Sequence, residues 1–151
     1  MENDGKLIFL TYLIIISMRT VKLWLATIAV LLYSISASAH DFEVGGIYYN
    51  ILSAEDKTLE VTFANSFGSA VYTGSVTIPN SVTYNGVTFS VTSIASSAFR
   101  DCSSLTNVII PNSVTTIGGA AFWGCTELTR ITIPNSVISM ESAVFGKCSS
   151  L

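Results

Sequence analysis

Three cysteines are the residues of this sequence whose chemistry invites the first test, since thiols bind metals, form disulfides and act as nucleophiles. Cys102, Cys125 and Cys148 follow one another at intervals of 23 residues. Neither a C-x-x-C pair nor a pair of histidines is present, so a zinc site is not indicated. If the three cysteines lie at equivalent points of stacked repeats about 5 Å apart, a disulfide between neighbours is geometrically conceivable, but an odd number of cysteines leaves one unpaired. We therefore interpret all three as buried thiols that act as small hydrophobic side chains.

The remaining reactive residues form no catalytic pattern. His40 is the only histidine, so a Ser-His-Asp or Cys-His arrangement would depend on that residue alone. The carboxylates are scattered, and the sequence has neither a G-x-x-x-x-G-K-[ST] nor a G-x-G-x-x-G phosphate-binding loop. We expect no catalytic site, no metal and no cofactor.

The spacing of the cysteines belongs to a repeat that runs from residue 91 to residue 151. Valine, phenylalanine and leucine recur at the same interval as the cysteines, as Val91, Val114 and Val137, as Phe99, Phe122 and Phe145, and as Leu105, Leu128 and Leu151. A fixed period of roughly 20 to 29 residues with a leucine frame is typical of a leucine-rich repeat solenoid, in which each repeat stacks on its neighbours. The third repeat stops at Leu151 before its strand, so we expect a fragment whose last coil frays and exposes an apolar end.

Each repeat contains a strand whose side chains alternate between core and solvent. The pattern Leu105-x-x-Val108-x-Ile110 places Val108 and Ile110 in the core, whereas Asn107 and Ile109 face out. The same frame defines a candidate ligand face: Ser75, Thr77, Asn107, Ile109, Arg130 and Thr132. A plainer interpretation, which stays open, is that these residues are merely soluble β-formers.

Prolines and apolar spacing define the rest of the coil. Pro111 and Pro134 end their strands, because proline has no N–H to donate to a ladder. On the opposite side, Ala98, Cys102 and Leu105 recur at i, i+4 and i+7, which predicts a short helical or 3-10 turn.

Two hairpins are predicted before the regular repeats. Residues 47–52 and 58–63 are β-rich arms around a polar turn, with Thr58, Glu60 and Thr62 pointing outward in the second arm. This hairpin is either a cap on the first coil or a small independent module, and we favour the cap because a lone hairpin is unstable. Asn85-Gly86 between two β-forming runs predicts a second hairpin with a type I′ turn.

The first 39 residues carry a targeting pattern. A basic segment from Met18 precedes an apolar run and the A-x-A motif of residues 37–39, which is typical of a secretory signal peptide. A single membrane helix is the alternative, but Arg19 and Lys22 would lie at its centre. The predicted divisions are an upstream extension (1–17), the signal peptide (18–39), an N-terminal β cap (40–74) and leucine-rich repeats (75–151).

The net charge of the chain limits the classes of partner that we expect it to bind. The formal net charge is −3 and no basic stripe occurs, so nucleic acid and anionic membrane surfaces are not expected to bind it. Contact with a membrane is expected only through the signal peptide.

The repeat closely resembles the BspA-type leucine-rich repeat of bacterial surface proteins. The resemblance rests on Ile110-Pro111-Asn112-Ser113-Val114-Thr115-Thr116-Ile117, followed by Ala121-Phe122, Cys125 and Leu128. It implies a secreted or surface-displayed array that binds extracellular proteins and acts in adhesion, and the expected partner is an extracellular or host-surface protein. Two alternatives remain: a structural spacer, or the non-catalytic N-terminal region of a larger secreted enzyme.

Overall fold

A computed structural model describes residues 40–64 and 71–151, and within these ranges all regular structure is β. The signal peptide and the upstream extension predicted for residues 1–39 lie outside the described residues. The strands are β1 (Phe42–Val44), β2 (Ile47–Ser53), β3 (Thr58–Thr62), β4 (Gly74–Thr77), β5 (Ser81–Tyr84), β6 (Val87–Ile94), β7 (Leu105–Ile109), β8 (Thr116–Ile117), β9 (Arg130–Thr132) and β10 (Ser139–Met140).

The strands form two sheets that share one core. Sheet A has the order β1-β2-β3-β6-β8-β10, with β5 paired to β6, and sheet B has the order β4-β7-β9. Within each sheet, strands from successive repeats pair in parallel, as β6 with β8 and β7 with β9. Ile94 pairs with Ile117, and Val108 with Ile131, so the register advances by one period from strand to strand. Successive repeats therefore stack with equivalent residues side by side.

Both predicted hairpins are present. Strands β2 and β3 are antiparallel, and β3 continues the sheet by pairing in parallel with β6. Strands β5 and β6 are joined by Asn85 and Gly86, whose φ angles of 50° and 78° are both positive, as a type I′ turn requires. The prediction that Thr62 points outward is wrong: Thr62 is 1% exposed, and its carbonyl accepts a hydrogen bond from the Tyr72 hydroxyl at 2.7 Å.

The predicted short helical or 3-10 turn around Ala98, Cys102 and Leu105 is also wrong. Ser97 and Asp101 both have positive φ, 61° and 57°, and a right-handed helical turn cannot pass through either residue. The backbone instead makes separate turns, each closed by a hydrogen bond between residues three apart, such as Cys102 N–H to the Phe99 carbonyl at 3.2 Å. No helix occurs in the two described ranges, and so none there could cross a membrane.

A ladder of stacked phenylalanines runs through the core. Phe99 and Phe122 lie 4.9 Å apart between ring centroids with an interplanar angle of 11°, and Phe122 and Phe145 lie 5.6 Å apart at 12°. Tyr72 extends the ladder towards the N-terminal strands, with its ring 4.5 Å from that of Phe99. Phe99 and Phe122 are fully buried, so each repeat contributes one large apolar side chain to a continuous column.

Side-chain hydroxyls link each repeat to the preceding one. Thr115 Oγ1 donates to the Thr92 carbonyl at 3.3 Å, and Thr129 Oγ1 to the Thr106 carbonyl at 3.2 Å. Donor and acceptor are 23 residues apart in both cases, so the same bond recurs on two faces of the stack. Ile138, at the position that Thr115 takes one repeat earlier, is 86% exposed.

Candidate functional site

The three cysteines are free thiols that line up beside the phenylalanine ladder. Cys102 and Cys125 are buried, whereas Cys148 is half-buried. The Cys125 thiol donates to the Phe99 carbonyl at 3.1 Å, and the Cys148 thiol to the Phe122 carbonyl at 3.0 Å. The prediction of buried thiols holds for Cys102 and Cys125, while Cys148 is only half-buried. Cys125 and Cys148 also act as hydrogen-bond donors between repeats, a role that their spacing alone did not indicate.

Burial keeps these thiols protonated. It raises the pKa of Cys125 to about 12, and desolvation likewise raises the pKa of Cys102 and Cys148. A thiol must lose its proton to act as a nucleophile or metal ligand, so this environment opposes both chemistries.

The other candidate reactive groups lie apart from one another. His40 packs against Tyr48, with 4.6 Å between ring centroids. Within the described ranges no three His, Cys, Asp or Glu side chains approach closely enough to hold a metal ion. The one ion pair found there joins neighbouring residues Arg100 and Asp101 at 3.5 Å, and both side chains are largely exposed.

Sheet B brings the six residues of the candidate ligand face together in two rows. The first row is Ser75, Asn107 and Arg130, and the second is Thr77, Ile109 and Thr132, because β4, β7 and β9 pair in that register. We call this surface, defined by the six residues, the B face. Its members are exposed except Asn107, which is half-buried.

The alternation that produces the B face is visible along each strand. In β7, Val108 is 1% exposed while Ile109 is 51% exposed. In β4 and β9 the residues between B-face positions, Val76 and Ile131, pack partly buried against the core. The sequence therefore correctly predicted which side chains leave the core, although the binding role of these side chains stays a prediction.

The B face contains an open depression of about 650 Å³. Asn107, Ile109, Arg130 and Thr132 line it from the two adjacent strands, and Pro134 from the turn after β9. The Asn107 Nδ2 atom donates to Ser75 Oγ at 3.0 Å, which fixes the carboxamide within its row. The depression thus combines a positioned amide, an exposed aliphatic side chain and a cation, a mixture suited to contacts with a polypeptide.

The two-sheet fold with its in-register repeats is that of a leucine-rich repeat protein. The family model described as the BspA-type leucine-rich repeat region (6 copies) matches residues 64–151, and the chain belongs to this family of bacterial surface proteins. The resemblance predicted from the repeat motif is thereby confirmed. None of the curated proteins matches the chain.

Solved structures show the same fold. A leucine-rich repeat protein from Bacteroides ovatus ATCC 8483 is 36% identical over 74% of this chain and 28% of its own, with a TM-score of 0.65. A leucine-rich cell surface protein from Faecalibacterium prausnitzii A2-165 is 31% identical over 72% of this chain and 28% of its own, with a TM-score of 0.58. The T. pallidum leucine-rich repeat protein is 30% identical over 73% of this chain and 47% of its own, with a TM-score of 0.57. The chain therefore spans less than half the length of each of these three proteins.

Proposed function

We propose that this chain is a secreted or cell-surface leucine-rich repeat solenoid that recognises an extracellular or host-surface protein and so mediates adhesion. Its ligand surface is the B face, and no reaction is catalysed in this segment. The signal peptide predicted for residues 18–39 supports export, and membership of a family of surface proteins supports the same location.

The observation that carries the proposal is the register of sheet B. Parallel strands from successive repeats present outward side chains in rows, with neighbours in a row about 4.8 Å apart, on a backbone held by ladder hydrogen bonds. A surface of this kind is preorganised, so little conformational entropy is lost when a partner binds. Arrays of stacked repeats use such extended surfaces for binding.

We further propose that the β1–β3 segment caps the array. Strand β3 pairs with β6 and so joins this segment to the repeats within sheet A. The Tyr72 ring covers Phe99, the first phenylalanine of the ladder. Tyr72 is anchored on this segment, since its hydroxyl donates to the Thr62 carbonyl and accepts from the Tyr48 amide at 3.2 Å. A covered first coil is what stacked-repeat proteins need in order to stay folded and soluble.

Binding of the purified chain to a panel of purified extracellular-matrix proteins tests the proposal. We expect saturable binding to at least one of them, and we expect Ile109→Ala to weaken it by about 1 kcal/mol or more, because the exposed isoleucine lies at the centre of the B face. Leu52→Ala is the matched control, since Leu52 is 50% exposed on β2 and Ile109 is 51% exposed on β7.

Circular dichroism and urea unfolding of each variant verify that the fold is retained. Equal binding by wild type, Ile109→Ala and Leu52→Ala would reject the B face as the ligand surface. Absence of binding to every protein of the panel would favour the spacer role over recognition.

A further inference from the structure

Arg130 is the single charged side chain of the B face, and it has no counter-ion there. It is exposed at the start of β9. Among the described residues the only ion pair is Arg100 with Asp101, so the Arg130 guanidinium has no carboxylate partner within them. All five N–H groups of such a guanidinium are available to an acceptor, in a planar fork that matches a carboxylate.

Ile109 lies diagonally across from Arg130 on the neighbouring strand. Arg130 pairs with Asn107, and Ile109 pairs with Thr132, so the two side chains are one strand and two residues apart. This corresponds to about 8 Å in a parallel sheet. Both line the same depression of about 650 Å³. A ligand segment that fills the depression therefore meets a cation and an aliphatic surface at a fixed separation.

Asn107 completes the polar side of the depression. Its Nδ2 atom already donates to Ser75 Oγ at 3.0 Å, and its Oδ1 atom can accept a hydrogen bond from a ligand. An extended polypeptide offers backbone N–H groups to such an acceptor. The three side chains together fit a peptide segment better than they fit a compact ion.

The physical constraint comes from desolvation. A protein that covers the depression removes water from Arg130, and a charge buried in this way without a partner is strongly unfavourable. An anionic group placed at the guanidinium offsets this cost best, because a carboxylate matches the guanidinium in both charge and geometry. The net charge of the chain is −3, but charges more than about 8 Å away are screened at physiological salt, so the local cation decides the contact.

We propose that the B face recognises an acidic, extended segment of a partner protein. A carboxylate of that segment pairs with Arg130, and an aliphatic side chain close to that carboxylate packs on Ile109. This inference rests on the proposed function and specifies the chemistry of its partner.

A phage-displayed library of short random peptides, selected on the intact purified chain, tests the proposal without a known ligand. We expect the enriched peptides to contain Asp or Glu close to Leu, Ile or Val. Selection on the Arg130→Glu variant is expected to lose the acidic residue and to enrich Lys or Arg in its place. Ile109→Ala should weaken the binding of the selected peptides about fivefold or more.

A double-mutant cycle with synthetic peptides identifies the contact itself. For the most enriched sequence, changing its carboxylate to the amide and changing Arg130→Gln should each weaken binding about two- to fivefold, with little further loss when the two changes are combined. Arg100→Gln is the matched control: Arg100 is also exposed, but it pairs with Asp101 and lies 5.9 Å from the Trp123 ring centroid. We expect this control to bind as the wild type does.

The outcomes separate this inference from the function on which it depends. Peptides that require Ile109 but show no acidic enrichment, or a cycle in which the two losses add, would overturn the acidic partner and leave the B face as a binding surface. Selected peptides that bind equally to Ile109→Ala and Arg130→Gln, or a selection that enriches no peptide, would count against the B face and against the inference with it.

Discussion

At the scale of single residues, Cys125 shows how a repeated position acquires a specific bond. The thiol is fully buried, and its S–H group is a second donor, at 3.1 Å, to the Phe99 carbonyl of the preceding repeat, which also accepts the Cys102 N–H. Cys148 repeats this contact with Phe122. An alanine would fill part of the same space but would leave the carbonyl without that donor. Cys125 and Cys148 are therefore best described as links between repeats rather than as latent reactive groups.

The protonation of Cys125 predicts how stability depends on alkaline pH. Its pKa is raised from 9.0 to about 12 in the folded chain, because burial disfavours the thiolate. Between these values the folded state holds a proton that the unfolded chain releases, so the stabilisation is fully present below pH 9 and decreases as pH rises towards 12. We expect the free energy of unfolding to fall over this range, as measured by urea denaturation at several pH values.

Cys125→Ala provides the comparison for that measurement. The variant should be less stable at neutral pH. It should lose less stability on going to alkaline pH, since it lacks the Cys125 thiol, whose pKa is raised by folding. Part of the dependence should persist, because burial also raises the pKa of Tyr49 to about 12. Parallel pH profiles of wild type and variant would show that the Cys125 proton does not contribute.

At the scale of elements, the β5–β6 hairpin was predictable and the turns of the repeats were not. Asn and Gly tolerate positive φ better than other residues, so the pair at 85–86 identified its turn type from sequence. In the repeats the left-handed positions are Ser97 and Asp101, followed by Ala120 and Gly124 one period later. Serine and alanine give little sign of positive φ, and the i, i+4, i+7 spacing of buried residues then resembled a helical turn.

The hairpin also provides a prediction at this scale. Gly86 has a φ of 78°, where an added Cβ meets no neighbouring atom but the backbone conformation disfavours an L side chain. We expect Gly86→Ala to destabilise the chain by about 1 to 2 kcal/mol, measured by urea unfolding. Asn85→Gly keeps a residue suited to positive φ and should change the stability by less. A neutral Gly86→Ala variant would mean that the turn can rearrange without affecting β6.

Sheet A illustrates a second limit of sequence-based prediction. The strand frame of the repeat identified β7, β9 and the outward positions of the B face, because alternation within a strand and a constant period together fix the register. Strands β8 and β10 contain two residues each, too few for alternation to be recognised. Burial of Thr62 was missed because alternation fails at the end of β3, where Val61 and Thr62 are both buried.

At the scale of the whole molecule, one core runs from the N-terminal strands to the last coil. The buried cluster extends from Phe42 to Val144, and the aromatic column from Tyr72 to Phe145 passes along it. Stability in such a stack comes from contacts between neighbouring repeats as much as from contacts within a repeat. Removing a side chain from the middle of the column should therefore destabilise the repeats on both sides of it.

Phe122→Ala tests this dependence. Phe122 is fully buried between Phe99 and Phe145, and its removal should cost about 3 to 5 kcal/mol in urea unfolding. Phe122→Leu, which keeps most of the apolar volume, should cost clearly less. In hydrogen exchange, we expect Phe122→Ala to weaken protection in β7 and β10 alike; a loss confined to β8 would show that the repeats are not coupled.

The in-register pairing of sheet B has an evolutionary consequence. Because β7 and β9 occupy equivalent positions in repeats of 23 residues, an in-frame duplication or deletion of one such repeat leaves the remaining strands correctly paired. The length of the surface, and with it the number of side chains offered to a partner, can thus change between strains in whole steps without passing through a misfolded intermediate.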